Sequence, residues 1–168
     1  MSFRVPVHEL MKRPGMMREN QLDIALVAPI GTEVVAIPAG SVVEVDLRLE
    51  SVHEGILATA DVYAEAKTIC SRCLEDMNLK IEVDFQELFA YSYSSDDELL
   101  VTNEHIDLEQ PVIDSVVLSL PFQPVCSQEC LGLCQECGIR LNEAVDHKHE
   151  NLVDPRFEAL KDLLSKEE

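Results

Sequence analysis

The sequence predicts an α+β domain: an antiparallel β-meander or partly closed barrel with packed helices and a cysteine-rich zinc-binding segment. Three observations lead there. Apolar residues alternate with polar ones in three successive central segments, the period turns helical after Asp107, and all six cysteines fall in two stretches. The 168 residues favour one domain with room for a small appendage. The expected division is an irregular N-terminal arm over 1–20, a sheet domain with a helix over 21–125, a zinc-binding segment over 126–150 and a C-terminal helix over 151–168.

The arm holds Arg4, Lys12, Arg13 and Arg18 with Pro6, Pro14 and Gly15, and no period runs through it. It reads as a loosely docked terminus. Residues 22–27 and 34–37 are short strand candidates separated by Pro29 and Gly31. Val43, Val45, Leu47 and Leu49 then alternate with charged neighbours, His53 to Gly55 turn the chain, and Ile56, Ala58, Ala60, Val62 and Ala64 keep the same period. Leu79, Ile81, Val83 and Phe85 repeat it after the first cysteine pair. Residues 93–104 read as a solvated acidic loop. Val112, Ile113, Val116, Val117 and Leu120 make one helical face over 109–120, with Asp107 near the N-cap, Pro111 in the first turn and Pro121 as the stop. Asp154-Pro155 opens the last helix, whose apolar face is Phe157, Leu160, Leu163 and Leu164.

Thirteen Lys and Arg against 32 Asp and Glu give a formal charge of −19. Such a surface repels phosphate backbones, so direct RNA binding is not expected. No apolar run approaches the ~20 residues that span a bilayer. The opening MSFRVPVHEL has a proline and charges where a signal peptide has its apolar core, and a cytoplasmic protein is expected. Between Ile81 and Ile139 there is no Lys or Arg at all, while Glu82, Asp84, Glu87, Asp114 and eight further carboxylates fall there. That stretch suits a basic protein partner, or serves solubility alone.

Cys70, Cys73, Cys126, Cys130, Cys134 and Cys137 are the candidate metal ligands. In a reducing compartment, cysteines two or three residues apart read as ligands sooner than as disulfides. Cys134-Gln135-Glu136-Cys137-Gly138 has the shape of a zinc knuckle, in which the glycine lets the backbone turn its amides toward the sulfurs. His147 and His149 complete a Cys2His2 set with Cys134 and Cys137; the competing reading of that His pair is an exposed polar turn. Cys70, Cys73, Cys126 and Cys130 supply four more thiols, so one or two structural zinc ions are expected, with the grouping open. Thiolate and imidazole favour zinc over magnesium or calcium.

A redox role for Cys70 and Cys73 would want a helix N-terminus to lower the thiol pKa, and these lie between strands. His8, His53 and His105 stand apart and are assigned no role. No H-E-x-x-H, deaminase signature, P-loop or Ser–His–Asp pattern is present, and an enzyme is not expected. The alternative is a thiol/zinc redox-responsive regulator.

The order of these signals resembles the YceD family, the large-subunit ribosomal RNA accumulation proteins of bacteria and plastids. The resemblance rests on Cys70-Ser71-Arg72-Cys73-Leu74, Glu82-Val83-Asp84-Phe85, Ile106-Asp107-Leu108, Leu120-Pro121, Cys126 to Gly138, and Asp154-Pro155-Arg156. It spans roughly residues 20–164. Some relatives place Cys-x-Cys where this chain has His147-Lys148-His149, an exchange of one ligand type for another. The resemblance implies a role in large-subunit ribosomal RNA accumulation and hence ribosome assembly; with the charge pattern, the expected partner is a basic ribosomal protein or a pre-ribosomal particle.

Overall fold

The alternating central segments become three long antiparallel strands in the computed structural model, which describes residues 3–92, 99–144 and 146–149. In chain order the strands are β1 (Arg4–Pro6), β2 (Met17–Ala25), β3 (Ile30–Gly31), β4 (Val35–Ile37), β5 (Val42–Ser51), β6 (Gly55–Ile69), β7 (Asp76–Ala90) and β8 (His105–Asp107), and helix α1 (Glu109–Ser119) follows. β6 is the spine. β7 pairs with all fifteen of its residues, from Gly55↔Ala90 to Ile69↔Asp76. On the opposite edge β5 pairs with residues 56–63 and β4 with residues 67–68. β2 extends the sheet beyond β5, β3 extends it beyond β4, and β1 with β8 forms a separate ribbon.

One face of this sheet makes the core. Val43, Val45, Leu47 and Leu49 of β5 and Ala58, Ala60 and Val62 of β6 are buried, each Val or Leu contributing roughly 1.5–3 kcal/mol of transfer free energy. Phe85 and Phe89 of β7 join Val112, Val116 and Leu120 of α1 in the same cluster. Burial against β7 therefore holds a helix that its β-branched residues disfavour. Asp107 helps at the start, its Oδ1 accepting the Glu109 N–H at 3.1 Å, and the helix ends at Ser119 before Pro121. Gly55 is required at the head of β6: a Cβ there would lie 2.1 Å from the Phe89 carbonyl oxygen.

The other face is exposed, and its register places like charges side by side. Asp46, Asp61 and Asp84 stand in one row across β5, β6 and β7, and Glu44, Tyr63 and Glu82 in the next. Asp23 of β2 stands opposite Glu44. Burial first, then the charges of Asp61, Glu82 and Asp46, push the Tyr63 phenol above its usual pKa.

The structure overturns the α+β prediction. Among the described residues strands dominate and α1 is the one helix, so the fold is a β-sheet with a single packed helix. The arm is also more ordered than expected: Val5, Val7 and Leu10 are buried, and the Val7 N–H donates to the Glu104 carbonyl at 2.8 Å. The physical reason lies in β1 and β2. β1 is too short to show a period, and β2 is an edge strand in which Ile24 alone is buried and whose first half, from Arg18 to Gln21, is wholly polar. The expected helix over 151–168 and residues 93–98 of the acidic loop lie outside the described residues. Among those described, no helix is long and apolar enough to cross a membrane.

Candidate metal centres

Both C-x-x-C pairs occupy the same kind of turn. In the β6–β7 hairpin the Cys70 N–H donates to the Glu75 carbonyl at 2.8 Å and the Leu74 N–H to the Cys70 carbonyl at 3.0 Å. In the segment after α1 the Cys134 N–H donates to the Ile139 carbonyl at 2.8 Å and the Gly138 N–H to the Cys134 carbonyl at 2.9 Å. The residue after the second cysteine has a left-handed backbone in each, with φ of 56° at Leu74 and 73° at Gly138. Glycine adopts that conformation freely; leucine does so at a cost.

The first turn faces Cys126 and Cys130. The sulfurs of Cys73 and Cys126 lie 3.8 Å apart and those of Cys70 and Cys130 4.0 Å, and all four fall within 4.8 Å of one another. A tetrahedron with zinc–sulfur bonds of about 2.3 Å has edges of about 3.8 Å. A disulfide needs about 2.05 Å, and all six cysteines are free thiols. Cys70, Cys73 and Cys130 are buried, Cys126 is exposed, and Met77 and Val125 pack against the group.

The chain around the sulfurs is arranged to stabilise negative charge. Backbone N–H groups of Arg72 and Cys126 each approach Cys70 Sγ at 3.4 Å. Asn142 Nδ2 donates to Cys130 Sγ at 3.2 Å while its Oδ1 accepts the Leu131 N–H at 2.8 Å. Arg72 Nη1 donates to the carbonyls of Gln128 and Cys130, both at 3.0 Å, which binds the hairpin to the later segment. Gly132 lies against that arginine: its φ is 77°, and a Cβ there would meet the Arg72 carbonyl oxygen at 3.1 Å.

The second group brings Cys134, Cys137, His147 and His149 within 4.8 Å of one another. Cys137 Sγ lies 3.2 Å from His147 Nε2, and Cys134 Sγ the same distance from His149 Nε2. The two Nε2 atoms are 2.7 Å apart, with the rings edge to face. The sulfur–nitrogen spacings are about 0.3 Å tighter, and the nitrogen–nitrogen spacing about 0.6 Å tighter, than the ~3.5 Å and ~3.3 Å edges that zinc bond lengths imply. Glu136 Oε2 contacts His149 Nδ1 at 3.2 Å, so a carboxylate orients the imidazole and leaves Nε2 toward the sulfurs. Arg140 Nη1 lies 3.8 Å from Glu75 Oε1, linking this group to the first turn.

The thiols titrate far apart. Cys70 is lowered to about 6, chiefly by backbone N–H groups of Cys73 and Cys126, and Cys134 to about 6 by those of Cys137 and Glu136. Cys126 is pushed up to about 12 by hydrogen bonding with Cys130 and by burial. Backbone amides thus do for Cys70 what a helix N-terminus does elsewhere. Either group could hold a metal ion.

A family model described as large ribosomal RNA subunit accumulation protein YceD matches residues 58–164. The chain belongs to the YceD family. The match includes all eight donors and runs from within β6 onward. An uncharacterised protein of Mycobacterium tuberculosis is 43% identical over 170 residues, covering 97% of this chain and 82% of its own length. One from Mycobacterium leprae is 39% identical over 166 residues, covering 93% and 75%. The uncharacterised protein YlbN of Bacillus subtilis is 31% identical over 109 residues, covering 59% and 60%. No solved structure matches the chain.

Every donor singled out in the sequence of this YceD chain falls in one of the two groups, and His8, His53 and His105 fall in neither. The supporting groups carried no motif. Asn142 and Glu136 could have been flagged as polar residues close in sequence to the ligands, and Arg72 as a residue inside a C-x-x-C, but nothing in the sequence assigns their partners.

Proposed function

We propose that this YceD-family chain is a non-enzymatic cytoplasmic factor that supports large-subunit ribosomal RNA accumulation and ribosome assembly. It acts as an acidic adaptor for a basic ribosomal protein and holds two structural zinc ions. The ribosomal part rests on one observation, the match of residues 58–164 to the family so described. The adaptor part is supported by the absence of Lys and Arg between Ile81 and Ile139 and by the carboxylate rows of the exposed sheet face.

Cys70, Cys73, Cys126 and Cys130 would hold one ion, and Cys134, Cys137, His147 and His149 the other. Thiolate and imidazole donors suit zinc, and four protein donors fill its tetrahedral shell without an open position. When bound, the metal supplies cross-linking: the first ion would fasten the segment after α1 to the β6–β7 hairpin, and the second would tie the Cys134 turn to His147 and His149. Metal analysis of protein purified without chelator tests this part, with two zinc equivalents expected and none refuting it. Depleting the protein in cells tests the ribosomal part. Large subunits should fall relative to small ones in sedimentation profiles, and an unchanged ratio would reject it. Pull-down at moderate salt should recover basic large-subunit proteins; recovery of RNA without them would reject the adaptor.

One observation favours a second reading, a thiol/zinc redox-responsive regulator. Cys137 is exposed in the second group, whereas three of the four thiols in the first are buried. Reversible zinc loss from the second group alone under mild peroxide would favour that reading.

A further inference from the structure

β7 ends the sheet in an unusual way. Among the described residues its partner strand is β6, and its other edge, apart from a single bridge between Ala90 and Leu100, is unpaired. Long open edges are ordinarily shortened, bulged, charged or covered, because their free N–H and C=O groups recruit other strands, and the carboxylates of β7 keep this one from recruiting acidic or apolar strands. Here the edge also borders a groove of about 750 Å³ whose far wall is α1. Consecutive residues from both faces of the strand, Glu82, Val83, Asp84 and Phe85, line it, so the groove follows the strand edge itself. Leu118 of α1 also lines it and is 85% exposed.

The two sides of the groove ask for different chemistry. On the solvent face Glu82 and Asp84 end the rows that already set Asp46 beside Asp61 and Glu44 beside Tyr63. In the aspartate row like charges stand directly opposite, which destabilises a sheet, and a cationic side chain next in that row would relieve it; Glu82, opposite the neutral Tyr63, can pair with another. On the α1 side Val83 and Leu118 offer apolar surface beside the buried Phe85, with Asp114 at its rim. None of the lining residues is Lys or Arg.

We propose that the β7 edge and α1 form a docking groove for an extended segment of a basic protein, added to the sheet as its next strand, with Lys or Arg alternating with apolar residues. The proposal rests on the adaptor reading and identifies its surface. The chain's own 151–168 segment has five acidic and three basic residues, so its charge argues against it as occupant. Two copies meeting edge to edge would oppose carboxylates to carboxylates.

The test uses full-length, zinc-loaded protein and a ten-residue peptide of alternating Lys and Val. Binding is followed by fluorescence anisotropy and mapped by backbone amide shifts. Shifts confined to residues 82–88 and 110–119 are expected. The double variant Asp84→Lys with Asp114→Lys, both at exposed positions, should weaken binding about tenfold or more at low salt. A peptide N-methylated at alternate amides along the pairing edge should lose binding altogether, because only strand addition needs those donors. No binding, binding unchanged by the charge reversal, shifts mapping to β2, or an edge-to-edge dimer would each overturn the groove. The adaptor reading fails separately, if wild-type protein binds the peptide but captures no basic protein from purified large-subunit proteins. It stands without the groove if the double variant captures them as well as wild type does.

Discussion

Replacing Arg72 with alanine isolates the contact that joins the two halves of the four-cysteine group. Its Nη1 donates to the Gln128 and Cys130 carbonyls at 3.0 Å each. Charged hydrogen bonds are worth about 1.5–3 kcal/mol apiece when dry, but the arginine is exposed and water replaces much of that. A net loss of about 2 kcal/mol remains, which at 1.4 kcal/mol per factor of ten is about thirtyfold in metal affinity. That falls within the 10–100-fold range for groups just outside a metal's ligands. Cobalt(II) loading, read by its visible absorption and by chelator competition, measures each site. The four-cysteine site should weaken about thirtyfold and the Cys2His2 site hardly at all. Arg72→Lys should recover only part of the loss: its Nζ can also donate to both carbonyls, but the flexible ammonium stem is less preorganised than the planar guanidinium and loses more freedom per hydrogen bond. A change below about threefold, or equal weakening of both sites, would refute the argument.

Cys134→Ser should lower bound zinc from two equivalents to one, and EDTA should strip the second group of the wild-type protein first because Cys137 and His149 are exposed; elemental analysis of the dialysed protein checks both. Gly55→Ala drives a Cβ to 2.1 Å from a backbone oxygen and should cost at least about 2 kcal/mol in urea unfolding, whereas a neutral effect would mean that the β6–β7 pairing can shift there. In metal-free, reduced protein the folded-state pKa values of Cys70 and Cys134 lie near 6, below the usual 9.0. A depressed pKa contributes stability that is complete above pH 9 and lost as pH falls through 6. The urea midpoint of metal-free protein should therefore fall from pH 9 toward 6, Cys134→Ser should flatten that slope, and a rising midpoint would contradict the assignment.

What could be read in advance depended on whether burial left a period in the sequence. β5, β6 and β7 were legible because each buries alternate residues, as Val43, Val45, Leu47 and Leu49 do. β2 was legible only in its second half, where residues 22–27 read as a strand; in its first half Arg18, Glu19, Asn20 and Gln21 leave neither face continuously apolar. Predicting a domain with packed helices gave too much weight to one real amphipathic stripe, the face of α1. At the candidate site, the Cys134 turn announced itself through Gly138. The Cys70 turn, with the same hydrogen bonds, was hidden because Leu74 takes the left-handed position. The grouping of Cys70 and Cys73 with Cys126 and Cys130 was unreadable for another reason. It is set by where the sheet places α1, a long-range consequence of packing with no local signature.

The same packing decides what the metal has to do. Cys73 and Cys126 are separated by 53 residues, and closing so long a loop in a flexible chain would cost several kcal/mol of entropy. The core removes most of that cost before any ion binds. The hairpin that ends in Cys70 belongs to β6 and β7, α1 packs on β7, and only residues 121–125 separate Leu120 from Cys126. The buried cysteines form a cluster of their own, distinct from the sheet core. Chelation should therefore raise amide hydrogen exchange across residues 123–149 and in the 70–75 turn, while β5, β6 and α1 keep their protection. Uniform loss of protection through β5 and β6 would show instead that the metal holds the sheet together, and that the preorganisation described here runs in the opposite direction.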